Sequence, residues 1–155
     1  MDQRINNSSI VTKKKFKLPV APWVWDILII GILFIGAYFR FTGESWDDVY
    51  HLHPDERFLT MVETALQPVE SVGEYFNTSI STLNPNNVGF SFYVYGTFPL
   101  FLARYVGEAV GQTGYGQIHI VGRVLSGVFD MLTILFIYLI GKRLYKNHRL
   151  GLLAA

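Results

Sequence analysis

The sequence predicts an all-α, polytopic membrane protein. Two transmembrane helices are joined by a large extracytoplasmic loop carrying amphipathic interfacial helices, together forming the N-terminal part of a larger helical bundle. Three observations lead there. Half of the 155 residues are hydrophobic and only 16% are charged, outside the pattern of soluble domains. Two apolar runs approach or exceed the roughly 20 residues that a spanning helix needs. The charges are segregated along the chain. Lys13, Lys14, Lys15 and Lys17 precede the first run, and Lys142, Arg143, Lys146 and Arg149 follow the last. From Arg40 to Gly116 there are nine acids against three bases, a balance of −6. The positive-inside bias then places both ends in the cytoplasm and the acid-rich loop outside the plasma membrane. Nucleic-acid binding is excluded as a reading, because the bases are not gathered on one face. With no cysteine in the chain, disulfides and thiolate chemistry are also excluded.

Residues 1–22 read as a basic cytoplasmic tail. The first span covers 23–41, with Trp23 and Trp25 at one end and Tyr38 and Phe39 at the other, as interface belts require. It reads as an uncleaved anchor, since no small-x-small cleavage site follows it. The loop is expected over 42–116, with interfacial helices at about 54–67 and 90–110. Within it, "NTSISTLNPNNVG" (77–89) is turn chemistry. The apolar stretch 88–106 is long enough to compete as a third span. Gly89, Gly96 and Pro99 interrupt it, and a third crossing would put the two basic clusters on opposite sides, so a surface-lying helix is preferred. The second span covers 117–141, and 142–155 reads as a cytoplasmic turn and the start of a third. The closing "LGLLAA" is the basis for expecting a longer polytopic protein.

The densest chemistry lies just beyond the first span, in "HLHPDERF" (51–58). Pro54 suits the first helical position, with His53 as cap and Asp55 and Glu56 in the first turn. Apolar residues then recur at Phe58, Leu59, Met61, Val62, Ala65, Leu66 and Val69, while Arg57, Thr60, Glu63, Thr64 and Gln67 take the other side. Three readings of this stretch stand side by side. The acids can be helix-start residues favoured by the helix dipole. His51 and His53, with Asp55, can form a metal site, because alternate residues of an extended segment point the same way. Asp55 can act as a general base at the water–lipid boundary. In the second span, Arg123 and Asp130 are seven residues apart and share one helix face, about 10 Å apart along the axis. Such charges either tie the helix to its neighbours or approach a ligand. Tyr93 and Tyr95 are belt aromatics or sugar platforms.

An Asp-Glu pair opening an amphipathic helix just after a first span resembles the large-loop, polyprenyl-phosphate-dependent glycosyltransferases. These form glycosyltransferase family 39, with the protein O-mannosyltransferases and the aminoarabinose transferases of lipid A. "FYVYGTFPLFLARYV" and "GRVLSGVFDMLTILFIYLIGKRLY" are similar to that group's next loop helix and second span, so the likeness covers about residues 20–155. It implies an N-terminal fragment, inactive alone, of an inverting transferase that moves a sugar from a lipid phosphate to an unknown acceptor hydroxyl. Asp55 matches the motif aspartate, the base, and Glu56 its neighbour. Arg57, Arg123 and Tyr93 are the candidate substrate-binding residues. The donor is the polyprenyl-phosphate sugar and membrane lipids are partners; no cofactor is assigned, and a divalent metal stays open, with His51 and His53 as its alternative site. The competing class is a non-catalytic two-span membrane protein whose acidic loop binds a partner or a metal.

Overall fold

The computed structural model describes residues 20–155; most of the expected basic tail, 1–22, lies outside the described residues. Those described form helices and turns, with no strand among them. Two helices are long and apolar enough to cross a membrane: α1 (Pro22–Phe41) and α5 (Ile118–Tyr145). Between them come α2 (Pro54–Ala65), α3 (Val72–Phe76), a 3-10 turn at Pro85–Val88, and α4 (Thr97–Val110). A last helix, α6 (His148–Ala154), follows α5.

Helix α1 starts on Pro22, where the missing N–H costs nothing, and ends with Arg40 in its last turn, complementing the helix dipole. It packs antiparallel on α5. Phe41 covers Gly127, and Gly36 approaches Met131 and Ile134. Toward the other end, Trp25 stands beside His148 just past α5, with ring centroids 6.1 Å apart. Space at Gly127 is what permits the Phe41 contact, because a Cβ there would meet the Phe41 ring at 2.7 Å. Lys146 turns the chain in a left-handed conformation, and the Asn147 side chain caps α6 by accepting from the Arg149 N–H. Helix α6 folds back on α5, where Gly141 faces Gly151. A methyl group on Gly151 would come within 2.7 Å of the Tyr138 carbonyl.

The segment joining α1 to α5 has its own small core: Val62 of α2 and Leu66, its C-cap, meet Leu100 of α4, flanked by Phe58, Phe90, Tyr93 and Phe101. The apolar side of α2 is therefore covered largely by protein. Its other side is not simply solvated either, since Thr60 and Glu63 are buried against the rest of the fold. Helix α4 begins at Thr97, after an irregular stretch that includes Gly96 as N-cap. Its 14 residues measure about 21 Å, short of the ~30 Å hydrocarbon core. Arg104 binds α4 to α2. It donates to the Glu63 carbonyl and the Gln67 side chain at 3.3 Å each, and pairs with Glu108.

Candidate functional site

A cavity of about 790 Å³ opens where α2, α4 and α5 meet the end of α1. From α2 it takes Asp55, Glu56, Leu59, Thr60 and Glu63, one stripe at helical spacing. From α5 it takes His119, Gly122, Arg123, Ser126, Gly127 and Asp130, again one face. Phe98, Leu102 and Ala103 of α4 supply apolar wall, and Arg40 closes the α1 side. The space thus has a largely apolar lining with a few charges set into it, the usual make-up of a small-molecule pocket.

Arg123 organises one wall. Nε and Nη2 donate to the two Glu56 oxygens at 2.6 and 2.7 Å. Nη1 and Nη2 reach the two Asp47 oxygens at 3.1 and 2.9 Å, and Nη1 also donates to the Glu44 carbonyl. A guanidinium has five N–H donors, and these five bonds use them all. Trp46 lies over the same group, its centroid 5.7 Å from the guanidinium carbon. Hydrogen bonds from Arg123 hold the Asp47 carboxyl below its ordinary range. Of the two roles expected for Arg123, tying α5 to its neighbours is the one its contacts perform. To bind a phosphate it would have to give up a carboxylate.

Asp55 stands beside this cluster but outside it. His53 is the N-cap of α2, Pro54 its first residue, and Asp55 and Glu56 occupy its first turn. Glu56 is taken by Arg123, whereas Asp55 is exposed, faces the cavity and enters no ion pair among the described residues. Its aromatic neighbour is Tyr95. Burial, and then the Asp55 charge, hold the Tyr95 phenol above its ordinary value. Tyr93 points elsewhere. It stacks on Phe58 at 6.4 Å between centroids and donates to the Gly96 carbonyl, and it does not line the cavity. Arg57 also turns aside, with Nε donating to the His51 carbonyl at 3.1 Å. Two turns along α2, Glu63 reaches the cavity with only 8% of its surface exposed. Burial, reinforced by the Glu56 charge, pushes its carboxyl up to about 8.

The two histidines do not act as the alternation of an extended segment would have them. His51 has φ of +50°, and Asp48 and Val49 are also in the left-handed region, so the segment is kinked and not extended. His51 turns inward and packs on His119 and Tyr115, each ring 4.4 Å away between centroids. All four ring nitrogens of His51 and His119 are buried without a hydrogen-bond partner. His53 stays exposed on the cavity wall. Among the described residues no group of three His, Asp or Glu side chains has the spacing to hold a metal.

Several members of this site carry no local signal in the sequence. Asp47 and Glu56 reach Arg123 across 76 and 67 residues, and Arg40 pairs with Asp130 at 3.0 Å only because the two long helices run antiparallel. The place of Glu63 beside the cavity could have been suspected from its position seven residues after Glu56, on the same face of α2. No protein-family model matches the chain, and no curated protein or solved structure is detectably similar to it.

Proposed function

We propose that this cavity is part of the active site of a membrane glycosyltransferase that uses a polyprenyl-phosphate sugar and inverts the anomeric carbon. Asp55 is the general base. It takes the proton from an acceptor hydroxyl as that oxygen attacks the anomeric carbon; the bond from that carbon to the phosphate oxygen breaks, and the lipid phosphate leaves as an anion. The leaving group is already good, so the chain's task is positioning and proton removal. On this reading α1 and α5 cross the plasma membrane as a hairpin with both ends cytoplasmic. The joining segment then lies outside, and the oily cavity wall meets the lipid chain of the donor.

One observation carries the reading: two adjacent acids on one helix turn have opposite fates. Glu56 is locked in a bidentate pair with Arg123. Asp55 faces the cavity with no cation bound to it. An acid that served only to start a helix would have no reason to line a cavity, and one that served as an ion-pair tether, as Glu56 does, would have a cation, whereas the neighbour of Asp55 is the neutral Tyr95 phenol. Glu56 then acts by fixing the first turn of α2, and so the place of Asp55.

The test is Asp55→Asn in the full-length protein, inserted in native membranes and supplied with lipid-linked sugar. Transfer should fall by about 10²–10⁴-fold, the range for loss of a general base, with insertion and thermal stability unchanged. Near-normal turnover in that variant would defeat the assignment.

A further inference from the structure

Glu63 is the buried acid that the mechanism above leaves unused, and its surroundings are unusual for a carboxyl group. On its own helix the nearest charge is Glu56, another acid, already held by Arg123. From α4, Arg104 comes close but donates to the Glu63 backbone carbonyl, Gln67 and Glu108, passing the carboxyl by. From α5, Arg123 has no donor left, Asp130 is paired with Arg40, and His119 lies on the cavity wall. Burial, and then the nearby Glu63 charge, raise the Tyr93 phenol above its ordinary value. No side chain among the described residues hydrogen-bonds or pairs with the Glu63 carboxyl. It is buried and opens onto the cavity.

A carboxyl buried without a cation keeps its proton, and a protonated carboxyl offers what a carboxylate cannot, an O–H donor. We propose that Glu63 is a recognition residue of the cavity, donating a hydrogen bond to a ligand oxygen, either a sugar hydroxyl or a phosphoryl oxygen, remote from the group that Asp55 attends. The separation supports a remote contact: eight residues along α2 are about 12 Å, more than the width of one hexose ring. Binding energy collected there is common to the ground and transition states and adds to the affinity for the donor. This inference rests on the cavity being the sugar-transfer site.

The direct test is infrared difference spectroscopy on the full-length protein in lipid nanodiscs. A protonated-carboxyl carbonyl band should be present at pH 7, fade as pH rises through about 8, and be missing in Glu63→Gln. Adding a short-chain polyprenyl phosphate, or the sugar-linked form, should shift the band. A shift with both ligands assigns the contact to a phosphoryl oxygen, and a shift with the sugar-linked form alone assigns it to the sugar. In turnover, Glu63→Gln, which still donates through its amide, should keep a near-native KM for the donor. Glu63→Leu should raise that KM about fivefold or more with little change in kcat. The proposal is overturned if no such band exists at pH 7, if neither ligand moves it, or if Glu63→Leu and Glu63→Gln behave alike. These outcomes are separate from the fate of the transferase reading, because the band and its shift are seen without turnover, while that reading falls on Asp55→Asn.

Discussion

The two sides of the cavity handle charge in opposite ways. On the α5 side, Arg123 is matched bond for bond by Asp47, Glu56 and the Glu44 carbonyl. On the α2 side, Asp55 and Glu63 face the same space without a cation. Both sides are built from residues within a few positions of each other in α2, so sequence proximity does not separate them. Satisfaction does. Polar groups whose bonds are complete hold the fold together, and those left incomplete are where a ligand can be bound.

The largest effect should come from breaking the satisfied side. Arg123→Met leaves the buried Asp47 carboxylate and one face of Glu56 without their partner. Losing one member of a buried ion pair costs about 3–5 kcal/mol, so detergent-solubilised protein should unfold at markedly lower temperature. Adding Asp47→Asn and Glu56→Gln to that variant should recover part of the loss. Asp55→Asn, one position from Glu56, should change stability by less than about 0.5 kcal/mol. If the two single variants were equally destabilising, the contrast between the sides would collapse.

How far this contrast was legible beforehand depends on the range of each interaction. The two long helices, the start of α2 at Pro54 and the first-turn acids follow from local pattern and proline chemistry, and the structure has them where those rules put them. The shared face of Arg123 and Asp130 was likewise readable from helical spacing. What each charge touches was not. Asp47 sits in an irregular turn containing three left-handed residues, which no propensity rule anticipates. The inward turn of His51 toward His119 depends on the same kink. Tyr93 and Tyr95, two residues apart, both pack on Phe58 and on each other, yet Tyr95 also lies beside Asp55, in a stretch without regular structure.

A second prediction concerns pH and the unsatisfied side. Glu63 carries its proton up to about pH 8 when folded, against an ordinary value of 4.5 when unfolded. Between those values the folded state binds the extra proton, so stability falls as pH rises from about 5 to 8 and levels off above. The slope amounts to about 2 kcal/mol over that window, roughly half the full linkage, since the carboxyl opens onto a cavity that water can enter. Glu63→Gln should remove it. Asp47 works in the opposite sense. Its carboxyl is held low, so its contribution is intact at neutral pH and is lost as pH falls below the ordinary carboxylate range. Thermal melts from about pH 2 to 9 on wild type and Glu63→Gln separate the two; a slope above about pH 5 that persists in the variant assigns it to another group.

A small effect is also expected at Arg40 and Asp130, the pair at the far end of the cavity from Asp55. Its nitrogen–oxygen distance is 3.0 Å, yet the side chains are 57% and 43% exposed. In water such a pair is worth about 0–1 kcal/mol, so Asp130→Asn should leave stability within that range and be further weakened by salt. The measurement also sharpens the comparison. The pair lies seven residues along α5 from Arg123, about 10 Å deeper from the joining segment. If both ends of the cavity are wet, the pair stays weak. A loss above about 2 kcal/mol, insensitive to salt, would mean that lipid covers Arg40 and Asp130. The cavity would then run from water at Asp55 into hydrocarbon at Asp130, the gradient that a ligand with a polar head and a lipid tail demands.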